Sequence, residues 1–245
     1  MPLSFVTKVI RPLAVVGLAL LATVVSAQTA QPSKVKPMNI LLVGASGMIG
    51  SRILAEATSR GHHVTAAARH PEKIASGANV KAVKLDATDK AALTALAKDA
   101  DVIVTATSPR GGGDPVQEAK AVGDAAIAAA RATGKRLLVV GGAGSLKMAD
   151  GKSVADTLPA AYRGEALGMK GVLDSLKASD VNWTFFSPAM SIAPGQKTGK
   201  YRLGTSTVIA DAKGVSSISA EDFAQALVSE LENPKYSKSQ MTIGY

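Results

Sequence analysis

The segment Asn39–Gly50, with the sequence NILLVGASGMIG, constrains the fold of this chain more than any other stretch. Its apolar run Ile40–Val43 predicts a strand buried on both faces, and apolar residues at helical spacing follow Gly50. Glycines at 44, 47 and 50 stand between the strand and the helix. This order of strand, glycine-rich turn and helix is typical of a parallel β-α unit whose turn holds a phosphate.

Each glycine has its own expected role. Gly44 permits the tight turn, Gly47 lets a pyrophosphate approach the backbone, and Gly50 lets the helix pack close to the strand. The other residues expected to bind phosphate, at the positive end of the helix, are Ser46, Met48 and Ile49. The spacing is G-x-x-G-x-x-G rather than the dinucleotide fingerprint G-x-G-x-x-G, so a glycine-rich turn without a ligand stays open as an alternative.

Composition favours one α/β domain. The 245 residues suit a single large core, and because aromatic residues make up only 4% of the chain, aliphatic residues must build that core. Such a composition fits parallel strands that are buried on both faces. The chain has no cysteine, which excludes disulfides, thiolate nucleophiles, zinc–thiolate sites and iron–sulfur clusters.

The N-terminus has the layout of a secretory signal peptide over residues 1–27. Lys8 and Arg11 precede the apolar run Leu13–Val25, and Val25-Ser26-Ala27 provides small residues before a cleavage point at Gln28. The run is shorter than the roughly 20 residues of a membrane-spanning helix. We therefore expect export to the periplasm without an integral membrane segment after cleavage; an uncleaved anchor and a misassigned start site are the alternatives.

The charge of the chain is strongly positive. Cleavage after residue 27 removes Lys8 and Arg11 and no acidic residue, which changes the formal charge from +9 to +7. A positive protein attracts anions such as nucleotide cofactors, although solubility alone would also explain the charge. No block of basic residues with interleaved aromatics appears, so we expect a small-molecule substrate and no nucleic-acid partner. The oligomeric state is open.

After a polar linker at 28–37, strand and helix patterns alternate through a domain that spans 38–245. This alternation predicts an α/β Rossmann fold, a doubly wound parallel sheet, with a small C-terminal substrate lobe from about 187. The predicted strands are Asn39–Val43, His63–Ala68, Lys81–Leu85, Val102–Thr105, Arg136–Val140, Trp183–Phe186 and Met241–Tyr245. Between Phe186 and the last helix, which begins after Ser219, the chain is expected to be irregular.

The end of the second predicted strand indicates which dinucleotide binds. An acidic residue there would bind the ribose 2′-hydroxyl of NAD, whereas Arg69 can bind the 2′-phosphate of NADP through two hydrogen bonds. Arg69 therefore favours NADP(H), with NAD as the second possibility and an ordinary solvated charge as the alternative. Asp86, after the third strand, could accept a hydrogen bond from adenine or could be a turn residue.

These motifs together resemble an atypical short-chain dehydrogenase/reductase of the NAD(P)H-binding group. That group includes flavin reductase/biliverdin reductase B and the nitrogen-repression (NmrA-like) regulators. The resemblance covers roughly residues 39–245, and its motifs are GASGMIG, AARHPEK, LDATD, VVGGAGS, FFSPAM and ISAEDFA. It implies that Thr105, Ala106 and Thr107 pass beneath the cofactor and that Ser187, Pro188 and Ala189 approach the nicotinamide.

The resemblance fails at the catalytic pair of the wider superfamily. A Tyr-x-x-x-Lys helix there makes the tyrosine an acid, but Tyr162 of this chain is followed by Ala166 where the lysine would stand. Tyr162 is a candidate acid, with a structural or substrate-contact role as the alternative. Ser145 lies near the superfamily's catalytic serine and could donate to an oxyanion or cap its loop.

Three functional hypotheses follow. The leading one is hydride transfer between NADPH and a small carbonyl, quinone or flavin-like acceptor. The second, favoured by the missing lysine, is a non-catalytic dinucleotide sensor that binds a protein partner. The third is an enzyme that modifies a sugar nucleotide or an isoprenoid. The histidines at 62, 63 and 70 lack partners at metal-ligand spacing, so no metal site is expected.

Overall fold

The computed structural model describes residues 1, 36–109 and 111–245. By its contacts the chain divides into Met1–Lys34 and Val35–Tyr245, and the second unit carries the fold described below. The expected signal peptide and most of the expected linker lie outside the described residues. None of the helices in the described ranges combines the length and the apolar character that crossing a membrane requires.

Strands and helices alternate as the sequence predicts. The strands are β1 Asn39–Val43, β2 His63–Ala68, β3 Val80–Lys84, β4 Val102–Thr105, β5 Arg136–Val140, β6 Trp183–Ser187, β7 Ser191–Ala193, β8 Arg202–Gly204, β9 Ser217–Ser219 and β10 Ser239–Gly244. The helices are α1 Met48–Ser59, α2 Lys90–Ala97, α3 Pro115–Thr133, α4 Val154–Thr157, α5 Ala160–Lys177 and α6 Ala220–Glu232, and single 3₁₀ turns cover Pro71–Lys73 and Ala143–Ser145.

The main sheet has the strand order β3-β2-β1-β4-β5-β6-β10-β8. Strands β1 to β6 and β10 are parallel, and β8 is antiparallel to β10. The order reverses between β1 and β4, and in a doubly wound sheet a ligand binds at the carboxyl ends of the strands beside such a reversal. The Rossmann fold expected from the sequence is therefore confirmed.

Helices cover both faces of the sheet. One core cluster joins Ile53 and Leu54 of α1 to Phe223 and Leu227 of α6, and Phe223 stacks on Phe186 of β6 with ring centroids 4.2 Å apart. The other cluster contains α2, α3 and α5. Because both faces are covered, β1, β4 and β6 are buried at nearly every position, which explains their continuous apolar sequences.

One detail of the C-terminal part differs from the sequence prediction. The region between Phe186 and Ser219, expected to be irregular, contains the three-residue strands β7, β8 and β9. Strands this short give no alternation that a sequence pattern could detect. Strand β10 and helix α6 return to the main sheet and its α1 face, so the small substrate lobe expected from about 187 stays a prediction.

A buried carboxylate holds this C-terminal part together. Asp222, fully buried on α6, accepts hydrogen bonds from Thr198 N at 2.9 Å, Gly199 N at 2.8 Å, Thr198 Oγ1 at 2.6 Å and Tyr245 Oη at 2.7 Å. Burial raises the pKa of Asp222, but the hydrogen bonds from Thr198, Gly199 and Tyr245 outweigh burial, so that its pKa lies below the ordinary value.

Candidate functional site

The turn between β1 and α1 has the geometry of a cradle. Gly44 has φ of +87°, and a Cβ built on it would lie 2.5 Å from the carbonyl oxygen of Ala106. A Cβ on Gly50 would lie 2.1 Å from Gly44 O, so only glycine fits at both positions. At Gly47 a built Cβ would lie 3.3 Å from Gly44 O and 3.9 Å from Ala106 O, a milder conflict than at Gly44 or Gly50, and Gly47 lines a cavity.

Helix α1 begins without a capping side chain. Its N-cap is Gly47, and its first turn contains no acidic residue. Asp89 caps α2, Asp114 caps α3 and Ser219 caps α6 through side-chain hydrogen bonds. Helices α4 and α5 also begin without such a bond, but their N-cap residues, unlike Gly47, do not line the cavity described below. The first backbone N–H groups of a helix have no acceptor within the helix. At the start of α1 these groups also form the positive end of the helix dipole. An anionic ligand would supply both the acceptors and the matching charge.

A cavity of about 610 Å³ opens at the carboxyl ends of β1 to β5. Eight residues that the sequence predicts to bind the cofactor line it, namely Gly44, Ser46, Gly47, Arg69, Asp86, Thr105, Ala106 and Thr107. Of the other predicted residues, Met48, Ile49 and Gly50 form the start of α1, and Ser187, Pro188 and Ala189 are buried at the end of β6, outside the cavity lining.

The cavity also has an apolar side that the motifs did not reveal. It comes from α3, α5 and β5, with Ala119, Val122, Gly123, Ala126, Val139, Met169 and Val172 in the lining. In the sequence these residues are indistinguishable from ordinary core positions of helices, so no pattern marks them. Together with the polar turn, they give the mixed lining that a dinucleotide needs, apolar for its rings and polar for its phosphates.

Basic side chains gather at the end of the cavity beside β2. Arg69, His70 and Lys73 all line it, and all are exposed. Asp86, also in the lining, accepts hydrogen bonds at Oδ1 from Thr88 N at 3.0 Å and from Thr88 Oγ1 at 2.8 Å. These bonds, with the nearby Arg69 charge, hold the pKa of Asp86 below its ordinary value. Asp86 thus stabilises the turn at Thr88 and also lines the cavity.

Ser145 is held in a polar cluster beside the sheet. Its Oγ lies 2.7 Å from Gly142 O, 2.8 Å from Ser187 Oγ and 3.0 Å from Nε2 of Gln240. Gly142 O can only accept, so the single hydroxyl proton of Ser145 goes to that carbonyl. The geometry therefore favours the loop-capping role of Ser145 over donation to an oxyanion. Gln240, which no sequence motif indicated, also donates to Ser187 Oγ at 3.0 Å.

Tyr162 and Ala166 do not form a catalytic pair. Tyr162 on α5 is 63% exposed and lies outside the cavity lining. Ala166, one turn later, is buried, and a Cβ built on Gly144 would lie 2.4 Å from the Cβ of Ala166. Ala166 packs against the turn that precedes Ser145, so a longer side chain at 166 would have to displace this turn or bend away from it. The alanine at this position thus fits the packing of α5.

The residues present fit a nicotinamide dinucleotide. The uncapped start of α1 and the open position at Gly47 suit a pyrophosphate, and Arg69 suits a phosphate on the ribose. No cluster of three or more histidine, cysteine, aspartate or glutamate residues that could hold a metal occurs in the described parts of the chain.

Comparison with known proteins identifies the class. A family model described as NAD(P)H-binding matches residues 44–234, so the chain belongs to the NAD(P)H-binding family. This agrees with the resemblance to atypical short-chain dehydrogenases/reductases that the motifs indicated.

Three solved structures give particular relatives. A Burkholderia pseudomallei protein, provisionally described as exported, is 42% identical, with a TM-score of 0.76, and the match covers 85% of this chain and 100% of that one. A Bacteroides thetaiotaomicron protein, provisionally described as an epimerase, is 38% identical, with a TM-score of 0.78 and coverage of 86% and 98%. A Streptococcus pneumoniae protein, provisionally described as an NADH-flavin reductase, is 32% identical, with a TM-score of 0.75 and coverage of 84% and 99%.

Proposed function

We propose that the protein is an NADP(H)-dependent oxidoreductase that transfers hydride between NADPH and a small carbonyl, quinone or flavin-like acceptor. The observation that carries this proposal is the cavity at the sheet's switch point, which joins the uncapped start of α1 to Arg69. Family membership supports dinucleotide binding, and the name of the pneumococcal relative supports a flavin-like acceptor. That name specifies NADH, whereas Arg69 favours the 2′-phosphate of NADPH.

Each part of the site has a role in binding. The N–H groups that begin α1 bind the pyrophosphate, with Gly47 leaving the space for it, and Arg69 binds the 2′-phosphate. Asp86 lies where an adenine amino group can donate to it, and Thr105 to Thr107 support the cofactor from β4. Ser187 to Ala189, expected at the nicotinamide end, are buried outside the cavity lining, so no role in binding is assigned to them. When bound, the cofactor supplies the hydride, and the protein contributes its position relative to the acceptor.

Proton delivery does not depend on a tyrosine–lysine pair. Tyr162 is exposed, and Ala166 is packed against the turn at Gly144. This suits acceptors whose reduced form is a stable anion or takes its proton from water, such as flavins and quinones. A simple ketone, which forms a strongly basic alkoxide, needs a nearby acid and would be a poor substrate.

The test is NADPH oxidation, followed by absorbance, with a panel of flavins, quinones, aldehydes and ketones. Deuterium placed at the transferring position of NADPH should stay on carbon in a reduced aldehyde or ketone. From a reduced flavin or a hydroquinone, where it is bound to nitrogen or oxygen, it should exchange into water. The flavins and quinones should turn over faster than the ketones. Tight NADPH binding without hydride transfer to any acceptor would overturn the oxidoreductase proposal.

That negative outcome would instead support a second function, a non-catalytic dinucleotide sensor of the NmrA-like type. The alanine at 166 in place of the expected lysine favours it, because α5 then supplies no activated acid. A sensor would hold NADPH and bind a protein partner only when loaded. Adding a nucleotide sugar to the panel covers the epimerase activity that the Bacteroides relative's name describes.

We also propose export to the periplasm. The charged start, the apolar run Leu13–Val25 and the small residues before Gln28 support it, as does the description of the Burkholderia relative. Intact-mass measurement of the native protein should give a chain that begins at or near Gln28, recovered from a periplasmic fraction. A cytosolic protein that retains Met1 would contradict the proposal.

A further inference from the structure

His70 lies directly after Arg69, in the lining of the same cavity end. Its Nδ1 is 3.1 Å from Oε1 of Glu72, and both side chains are about two-thirds exposed, at 66% and 65%. His70 also precedes the 3₁₀ turn Pro71–Lys73, which brings Lys73 into the same lining. The ring therefore stands at the mouth of the proposed 2′-phosphate site with one nitrogen already engaged.

The contact with Glu72 determines which nitrogen carries the proton. An ionised carboxylate can only accept hydrogen bonds, so Nδ1 of His70 must be the protonated nitrogen when it pairs with Glu72. In the neutral ring Nε2 then has a lone pair, which cannot donate to a phosphate oxygen. A second proton converts Nε2 into an N–H donor and gives the ring a positive charge. Protonation thus changes His70 from a poor phosphate neighbour to a good one.

Charged groups of both signs share this cavity end with His70. Arg69 and Lys73 oppose a further positive charge there, whereas Glu72, which contacts the ring, and Asp86 after β3 favour it. A phosphate bound to Arg69 would add between one and two negative charges to the favourable side, depending on its own protonation. Binding of the phosphate and protonation of His70 should therefore be coupled, each promoting the other.

We propose that His70 is a specificity-determining residue that donates from Nε2 to the ribose 2′-phosphate only when its ring is protonated. The preference for the phosphorylated dinucleotide over the unphosphorylated one then increases as the pH falls. This inference rests on the proposed function, because it requires that NADP(H) occupies the cavity with its 2′-phosphate at Arg69. His70 would thus add a pH-dependent hydrogen-bond donor beside the permanent charge of Arg69.

The experiment is calorimetric titration of the full domain with NADP⁺ and with NAD⁺, oxidised forms that withstand acid, at about pH 5.5 and about pH 8. The quantity compared is the ratio of the two dissociation constants. The 2′-phosphate has its own proton, with a pKa near 6, which affects every variant alike. The comparison is therefore between the unmutated protein and His70→Gln, with His63→Gln as the matched control because His63 is an exposed histidine outside the cavity lining.

When the pH is lowered, the preference for NADP⁺ over NAD⁺ should increase more in the unmutated protein and in His63→Gln than in His70→Gln. The extra increase should be about two- to fivefold, the range that an exposed ion pair gives. Proton uptake on NADP⁺ binding, measured in buffers of different ionisation heat, should be larger in the unmutated protein than in His70→Gln. Identical pH profiles and proton uptake in these two proteins would overturn the role of His70 while leaving the proposed function intact. Failure of the unmutated protein to bind either dinucleotide would overturn both.

Discussion

Replacement of Gly47 by valine should abolish dinucleotide binding and leave the fold intact. A Cβ at this position would lie 3.3 Å from Gly44 O, a close contact that this carbonyl must relieve by a few tenths of an ångström, and 3.9 Å from Ala106 O. The backbone at Gly47, with φ of −75° and ψ of 169°, is also open to any residue. The two methyl groups of valine would extend into the cavity where the pyrophosphate would lie.

The size of the effect follows from ligand linkage. A ligand at a hundred times its dissociation constant stabilises a protein by about 2.7 kcal/mol. In a domain of this size each kcal/mol raises Tm by about 2–4 °C, so saturating NADP⁺ should raise the Tm of the unmutated protein by roughly 5–11 °C. In Gly47→Val a hundredfold weaker affinity would leave the ligand at about its dissociation constant, where it stabilises by about 0.4 kcal/mol, so the same addition should raise Tm by only about 1–2 °C.

Gly50→Ala is the matched comparison. Its new methyl group would lie 2.1 Å from Gly44 O, a backbone atom that cannot move without shifting the whole turn. Overpacking of this kind costs about 1–3 kcal/mol, so the ligand-free Tm should fall by roughly 2–12 °C. Gly47→Val should lower the ligand-free Tm less than Gly50→Ala does, because its Cβ would lie 3.3 Å rather than 2.1 Å from Gly44 O. Normal NADP⁺ binding by Gly47→Val, or a ligand-free Tm that falls as far as that of Gly50→Ala, would contradict this prediction.

Three further predictions concern single side chains. Arg69→Ala should reduce the preference for NADPH over NADH by about 10- to 150-fold, the contribution of one charge-assisted contact. The control Lys81→Ala should leave this preference unchanged. Equal affinities of the unmutated protein for both cofactors would contradict the role of Arg69. Tyr162→Phe should lower turnover by less than the 10²–10⁴-fold that follows loss of a general acid, and a larger loss with normal NADPH binding would show that Tyr162 is catalytic. Asp222→Asn should destabilise the protein by about 2–3 kcal/mol at neutral pH. Because the pKa of Asp222 is lower in the folded protein than in the unfolded chain, where it is about 4, this difference in stability should shrink as the pH falls below about 4 and Asp222 becomes protonated. Urea unfolding of both proteins across the acid range measures it, and a difference that persists unchanged through the acid range would contradict the assignment.

The fold could be predicted from the sequence because its signals are local and repeated. Strands β1, β4 and β5 consist mainly of apolar residues, and β1 and β4 are each followed by a turn and a helix. The bounds of β1, β2, β4 and β5 agree with the prediction to the residue. The pairing of β10 between β6 and β8 could not be predicted, since it depends on contacts between segments that are distant in the chain.

The candidate site shows the same division. Residues that need a special backbone or a charge, such as Gly44, Gly47 and Arg69, are marked by their type, and the structure brings them into one cavity. Met169 and Gln240 carry no such mark, because a methionine on a helix and a glutamine on a strand have ordinary interpretations. The commitment of the Ser145 proton to Gly142 O also depends on local geometry that no spacing encodes.

The contact between Gly144 and Ala166 limits how this protein could change. A single substitution that introduced lysine at 166 would drive a long charged side chain into the turn that positions Ser145, so the first step towards a tyrosine–lysine enzyme would damage the fold before it offered any activity. A second change in the turn, or a shift of the whole helix, would have to come first. Directed evolution from this scaffold should therefore find new chemistry more readily by changing the acceptor side of the cavity than by restoring the superfamily's proton donor.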